Sequence, residues 1–448
     1  MKTNLFNYVL LLFSTFAFSQ AGHIMQGVGA INMSMGGAAT AQPLDISGAL
    51  QWNPASISSF DYQTIKLDVG LFSSSPELSS SFGPLSGTTM DDRGTSIMPN
   101  IAYVWAKEGS KHTFGASAFG ISGFGVTFPE DSNYPQDILG NPNPNYNPNQ
   151  SSNPINFPQN AGGFGHIESD YMLLQVSLSY AYEITDKFSI GVQPNINYAA
   201  LQLMPNPTAN PSMTAGYSAT NKASAIGYGA QFGLFYDSGF GLKLGASYKT
   251  TQKFQEFEFD NTYLDNSMAT SKFQMDYPAI LSFGLGYSVS DVDLALDFRR
   301  VDYENTEGFS KTGWTQTGSV SGFGWQNISI LSAGLQYKGI SKLPLRIGYT
   351  YSSNPIPEDV TFFNVPATAV IKNAFQFGLS YEVNSNWKID GVYHYGDSGD
   401  ATKGQMLSPF AVSPSNPLGK IAGSSISYDM TTSMIMLGVS YTFNKPTD

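Results

Sequence analysis

Few side chains in this chain could do chemistry. It has no cysteine, and its four histidines, His23, His112, His166 and His394, show no ligand spacing. Disulfides and thiolate sites are excluded, and a metal site is not expected. No serine–histidine–carboxylate set can be assembled, so no catalytic residue, no cofactor and no enzymatic activity are assigned. Gly162–Gly163–Phe164–Gly165 lacks the lysine and the strand-to-helix setting of a phosphate loop. What remains is charge set into alternating segments. If Val292, Leu294, Leu296 and Phe298 share one face, Asp297 and Arg299 share the other. The same parity pairs Leu345, Ile347 and Tyr349 against Arg346, and places Lys388, Asp390 and His394 on one side. Arginine is a natural clamp for a carboxylate, so Arg299, Arg346, Lys388 and His394 are the candidate substrate-binding residues. The alternative is a salt-bridged polar interior that holds another part of the chain.

The segments that carry these charges recur. Val176–Tyr180, Gln231–Tyr236, Ser282–Tyr287, Ala333–Tyr337, Phe377–Tyr381 and Leu437–Tyr441 each alternate bulky apolar residues with Gly, Ser, Ala or Gln. Each closes on a tyrosine before a short turn. Strict alternation means a strand with two unlike faces. In an outer-membrane barrel the apolar face meets lipid, the polar face lines the lumen, and aromatic residues ring the interfaces. Composition agrees. Charged residues are only 12%, against roughly 25% in an average soluble protein, while Gly 45, Tyr 25 and Phe 31 are high. A net charge of −12 argues against nucleic acid as a partner.

Along the chain, about fourteen such strands are separated by connections that alternate long and short, a rhythm expected when short turns are periplasmic and long loops external. The first runs near Gln63–Ser73, the ninth from Val292 to Tyr303, and the last from Ile426 to Phe443. Both ends then fall on the short-turn side. The fold predicted is all-β, a 14-stranded antiparallel transmembrane barrel. The run Asn141–Asn149, with prolines at 142, 144 and 148, suits only an extended external loop. Residues 1–19 read as a signal peptide, with Lys2, an apolar Tyr8–Phe18 stretch and a small-x-small site at Ala17–Phe18–Ser19. No later run is long enough for a membrane-crossing helix, so residence in the outer membrane must be as a closed barrel over 61–448.

Residues 20–60 lack strand periodicity and are rich in small residues: Met33–Ser34–Met35–Gly36–Gly37–Ala38–Ala39–Thr40, then Asp45 to Ala55, ending Trp52–Asn53–Pro54–Ala55. A barrel of this size has a lumen its own side chains cannot fill, and this segment is the expected hatch, with Gly36, Gly37, Asn53, Pro54 and Ala55 at its core. These motifs, together with Tyr277–Pro278–Ala279–Ile280–Leu281–Ser282–Phe283–Gly284, resemble the FadL/TodX family of outer-membrane transporters for hydrophobic compounds. The resemblance implies passive uptake of long-chain fatty acids or similar lipid-like or aromatic molecules, past an N-terminal hatch and out through an opening in the barrel wall. It implies that the partners are a hydrophobic small-molecule ligand and outer-membrane lipid, with the protein a monomer. Members of the family break the wall at an inward kink of the third strand, here Phe114 to Gly125. Gly120 and Gly123 are therefore the candidates for kink and lateral gate, unless they only relieve crowding against the hatch. A different role, a surface docking or secretion accessory protein, would go with a sealed lumen under an ordered loop platform.

Overall fold

The computed structural model describes residues 22–444 apart from 213; the expected signal peptide, 1–19, lies outside the described residues. Alternation produces long strands, and fourteen of them form one antiparallel sheet that closes on itself. They are β1 Thr64–Phe82, β2 Thr95–Trp105, β3 His112–Phe128, β4 Ile167–Thr185, β5 Phe188–Met204, β6 Ala223–Asp237 and β7 Leu242–Lys249. The second half is β8 Ala279–Val289, β9 Val292–Asp302, β10 Ile328–Tyr337, β11 Leu345–Ser352, β12 Asn373–Glu382, β13 Trp387–Asp397 and β14 Ser424–Thr442. Closure is made by β1 on β14, from Thr64 opposite Thr442 to Phe82 opposite Ser424. A closed sheet has no unpaired edge to present to lipid, which is the condition for crossing a bilayer with strands.

The two faces differ residue by residue. On β1, Leu67, Val69 and Leu71 point out while Lys66 and Asp68 are buried inside. The outward positions of β1 change from these aliphatics to Ser73, Ser75, Glu77 and Ser79. That change marks the outer edge of the apolar belt. With 19 residues β1 is about twice the 9–11 that span a bilayer, so its upper half stands outside the membrane. The expected end at Ser73 was therefore short: the strand continues to Phe82 and carries a hairpin partner, Leu85–Met90. Conversely, the strand that carries Ser282–Tyr287 begins only at Ala279. Pro278 brings no N–H to the ladder, and Met268–Phe273 belongs instead to an external three-stranded sheet with Phe257–Thr262 and Ala219–Thr220.

Candidate functional site

Residues 22–60 lie within the barrel and are held there by backbone-to-wall contacts. Two short helices, α1 Ala30–Ser34 and α2 Ile46–Trp52, are followed by a 3₁₀ turn, Pro54–Ser59. Asp45 caps α2, accepting the Gly48 N–H at 3.1 Å, and also takes the Lys66 ammonium of β1 at 2.6 Å. Asn53 ends α2: its Oδ1 accepts the Ala55 N–H at 3.0 Å, while its Nδ2 donates to the carbonyls of Thr40 at 2.8 Å and of Leu234 on β6 at 2.9 Å. Pro54 then supplies a preset φ at the first position of the turn. Such close approach needs a wall without side chains. A Cβ on Gly348 would sit 2.2 Å from the Gly36 nitrogen, and one on Gly191 would sit 2.3 Å from the Ala55 nitrogen. Gly36 and Gly37 adopt φ of 68° and 76°, which lets the segment turn back on itself between Met35 and Ala38.

Of the candidate binding residues, Arg299 serves this packing directly. Arg299 is buried, donates to the Gly37 carbonyl and to Asp297 (2.6 Å each), and lies 3.6 Å from the centre of the Trp52 ring. Asp297 in turn accepts the Ala39 and Thr40 N–H groups at 3.0 Å. Arg346 donates to Gln336 at 2.6 Å and Ser380 at 2.8 Å, and His394 meets Gln376 at 3.2 Å. Lys388 lines a polar vestibule of about 760 Å³ on the short-turn side, with Asp45, Lys66 and Glu382. The four do not converge. Arg299 lies on β9, Arg346 on β11, and Lys388 and His394 on β13. A buried cation absent from the sequence reading is Lys249 at the end of β7. It donates to the Gln175 amide oxygen at 3.3 Å, lies 5.9 Å from the Tyr277 ring centre, and has no carboxylate within 4 Å among the described residues. The parity that placed Arg299 inside would have placed Lys249 there too, since Leu244 and Tyr248 point out.

The wall is interrupted between β2 and β3. These strands pair only from Asn100 opposite Phe119 to Trp105 opposite Phe114. Above that, among the barrel strands, Thr95–Pro99 pairs only with β1 and Ser122–Phe128 only with β4. The register on β4 shifts between Gly120 and Ser122, so Ile121 is an extra residue. The shift flips parity: Phe119 and Ile121 are buried before it, and Ser122, Phe124 and Val126 after it. Gly120, Gly123 and Gly125 all fall on the less buried, outward parity. A Cβ on Gly120 would touch only the Met98 methyl, at 3.7 Å, so crowding against the N-terminal segment is not why glycine stands there. The free edge of β3 is taken up from inside. Ile24 bridges to Ser122, with Met25 N–H donating to Ile121 at 3.0 Å and Gly123 N–H to His23 at 3.2 Å. A cavity of about 420 Å³ fills the break, and its lining joins inward Phe124, Tyr171 and Leu173 with outward Ile97 and Met172.

Above the lumen, the external loops enclose an apolar crevice of about 40 Å³ between Phe164, Trp314, Phe362 and Pro366. Among the described residues, no group of three or more His, Asp or Glu could hold a metal ion.

A barrel filled by its own N-terminal segment and broken at the third strand defines an outer-membrane channel rather than a catalyst. Residues 153–444 match the family described as outer membrane protein transport protein (OMPP1/FadL/TodX). The chain belongs to that family, whose members are outer-membrane channels for hydrophobic compounds and not enzymes. Its fold is similar to that of the Pseudomonas putida toluene transporter TodX, at 18% identity over 94% of this chain and 100% of that one, with a TM-score of 0.66. The Ralstonia pickettii toluene transporter TbuX is similar at 17% identity, 94% and 99% coverage and a TM-score of 0.64. A Pseudomonas aeruginosa FadL homologue is similar at 14% identity, 95% and 100% coverage and a TM-score of 0.69. Among curated proteins no match was found.

Proposed function

We propose that this protein takes up hydrophobic compounds and delivers them sideways into the outer membrane through the break between β2 and β3, with residues 22–60 acting as a plug that denies them the periplasmic end. The observation that carries this reading is the 420 Å³ cavity whose lining combines lumen-facing and lipid-facing residues. The physical reason is cost. Each CH₂ moved from an apolar setting into water costs about 0.8 kcal/mol, so a route from loops to lipid that bypasses the periplasm keeps the cargo shielded throughout. Cargo first meets the apolar crevice under the loops, then passes the aromatic residues around the leading end of the plug. His23 sits there with its ring centre 4.9 Å from that of Phe309 and 5.7 Å from that of Trp325. The exit lies beyond it, at Gly120 and Gly123. Two of the similar structures are named as toluene transporters, and a monoaromatic hydrocarbon fits the apolar character of this route. If the cargo carries an acidic head, Lys249, with no carboxylate within 4 Å among the described residues, is a better partner than Arg299, which is already paired with Asp297 at 2.6 Å.

Crystals soaked with a brominated hydrocarbon test the path. Bromine should appear by anomalous scattering in the loop crevice or in the β2–β3 cavity. Bromine confined to the vestibule beside Lys388 would point to passage through the periplasmic end and contradict the reading.

A further inference from the structure

The opening between β2 and β3 has a lower edge made by paired main chain, at Asn100 and Phe119. Its upper edge is different. Asp91, Asp92 and Arg93, in the connection before β2, reach across to the top of β3. The Asp92 N–H donates to the Thr127 carbonyl at 2.8 Å, and the Thr127 N–H donates to the Asp91 carboxylate at 2.5 Å. Arg93 goes further and crosses β3 altogether. Its Nη1 donates to the Ser169 carbonyl at 2.7 Å and its Nη2 to the Asp170 carboxylate at 2.6 Å, both on β4. Asp170 is also paired with Lys222. The guanidinium lies against Gly125, where a Cβ would fall 1.6 Å from Nη1. It thus occupies the outward space that the absent side chain leaves, and it lines the cavity.

We propose that Arg93 is the lintel of this opening and sets the largest cross-section of cargo that can leave through it. This rests on the lateral exit proposed above and adds a specificity-determining residue to it. The geometry sets Arg93 apart from an ordinary surface ion pair in two ways. Arg93 is pinned at two points, a main-chain carbonyl and a carboxylate, on a strand beyond the one it crosses, a fork that lysine cannot reproduce. It also lines the cavity in the break, lying over β3 where Gly125 leaves the outward space without a side chain. Most of the other lining side chains, among them Phe72, Met98, Phe124, Tyr171 and Met172, are anchored in paired strands, whereas Arg93 belongs to a connection. Arg93 is therefore the part of the frame whose removal would widen the opening without unpairing a strand.

The test compares a slim and a bulky hydrocarbon without head groups, p-xylene and pyrene, taken up by cells whose outer membrane carries each variant. Arg93→Ala should raise the pyrene to p-xylene uptake ratio on the order of tenfold, the scale of discrimination a few side-chain atoms can impose, through a gain in pyrene uptake. Arg93→Lys should fall between Arg93→Ala and the parent. Asp170→Asn removes no bulk but frees one anchor, and should shift the ratio in the same direction by less. It also tests the proposal if Arg93→Ala does not insert. Equal loss of both probes in these variants, or an unchanged ratio, would overturn the lintel and leave a merely structural pair. Gly120→Trp separates this from the parent reading: if p-xylene still enters at the normal rate with the opening filled, the lateral exit itself fails, whatever Arg93 does.

Discussion

Lys66 shows what charge does inside this wall. Its ammonium lies 2.6 Å from Asp45 of the plug, 3.2 Å from Asp390 of β13 and 3.7 Å from Asp68, all buried. Removing one partner from such a group leaves uncompensated charge, so Lys66→Met should destabilise by about 3–5 kcal/mol, seen as a lower denaturant midpoint in heat-modifiable gel migration. Ser380 makes the same point for a neutral residue. Parity alone marks it as lumen-facing and predicts that substitution there is nearly silent. In the structure it donates to Asp390 at 2.5 Å and accepts from Arg346 at 2.8 Å, so its loss leaves two buried charged groups short of a partner. Ser380→Ala should cost about 1–3 kcal/mol, while Leu379→Arg, on the lipid face next door, should cost about 2–4 kcal/mol if it lies at the bilayer midplane. Near-normal stability of Ser380→Ala would mean the network is not formed. The facing of Arg299, Arg346 and Asp390 was legible in the sequence because alternation has a period of two. Their partners were not, because cross-strand register and the path of residues 22–60 decide those, and neither leaves a local signal.

At the scale of elements, the plug and the third strand depend on each other. Ile24 and Ser122 stand opposite in a β-bridge that takes the place of the missing β2 partner. Opposed residues of an antiparallel pair have Cα atoms about 4.5–5.5 Å apart, within the 4.4–6.8 Å a disulfide accepts. The chain has no cysteine of its own, so Ile24→Cys with Ser122→Cys gives a single clean cross-link. Oxidised, it should slow uptake of a hydrocarbon, and reductant should restore it. Equal rates in both states would show that cargo passes without lifting the leading end of the plug. Deleting 26–55 should leave an inserted barrel, since β1 and β14 close without it, and should raise conductance to small ions in planar bilayers. Conductance equal to that of the parent would remove the plugging role. The glycine density of Phe114–Gly125 was visible in the sequence, while a kink within it was implied only by the family resemblance. The position of the extra residue was not, because Ile121 is apolar and suits either face. Arg93 was invisible for a different reason: it belongs to a connection, where no periodicity says which way a side chain reaches.

For the whole molecule, the barrel was the most legible level, because fourteen segments each repeat the same two-faced pattern and the loop lengths repeat with them. The chemistry of the cargo was the least legible, because an apolar route is recognised by shape and by the absence of polar groups, which no motif records. The central claim is that cargo leaves through the wall. Gly120 is the position to test it, since a Cβ there meets nothing closer than the Met98 methyl at 3.7 Å and a large side chain can grow into the cavity without displacing the plug. The measurement is the initial rate of p-xylene uptake by cells carrying Gly120→Trp, with insertion checked by heat-modifiable migration. The account predicts a folded, inserted barrel whose uptake falls to the level of cells lacking the protein. Uptake at the parent's rate through that barrel would contradict it.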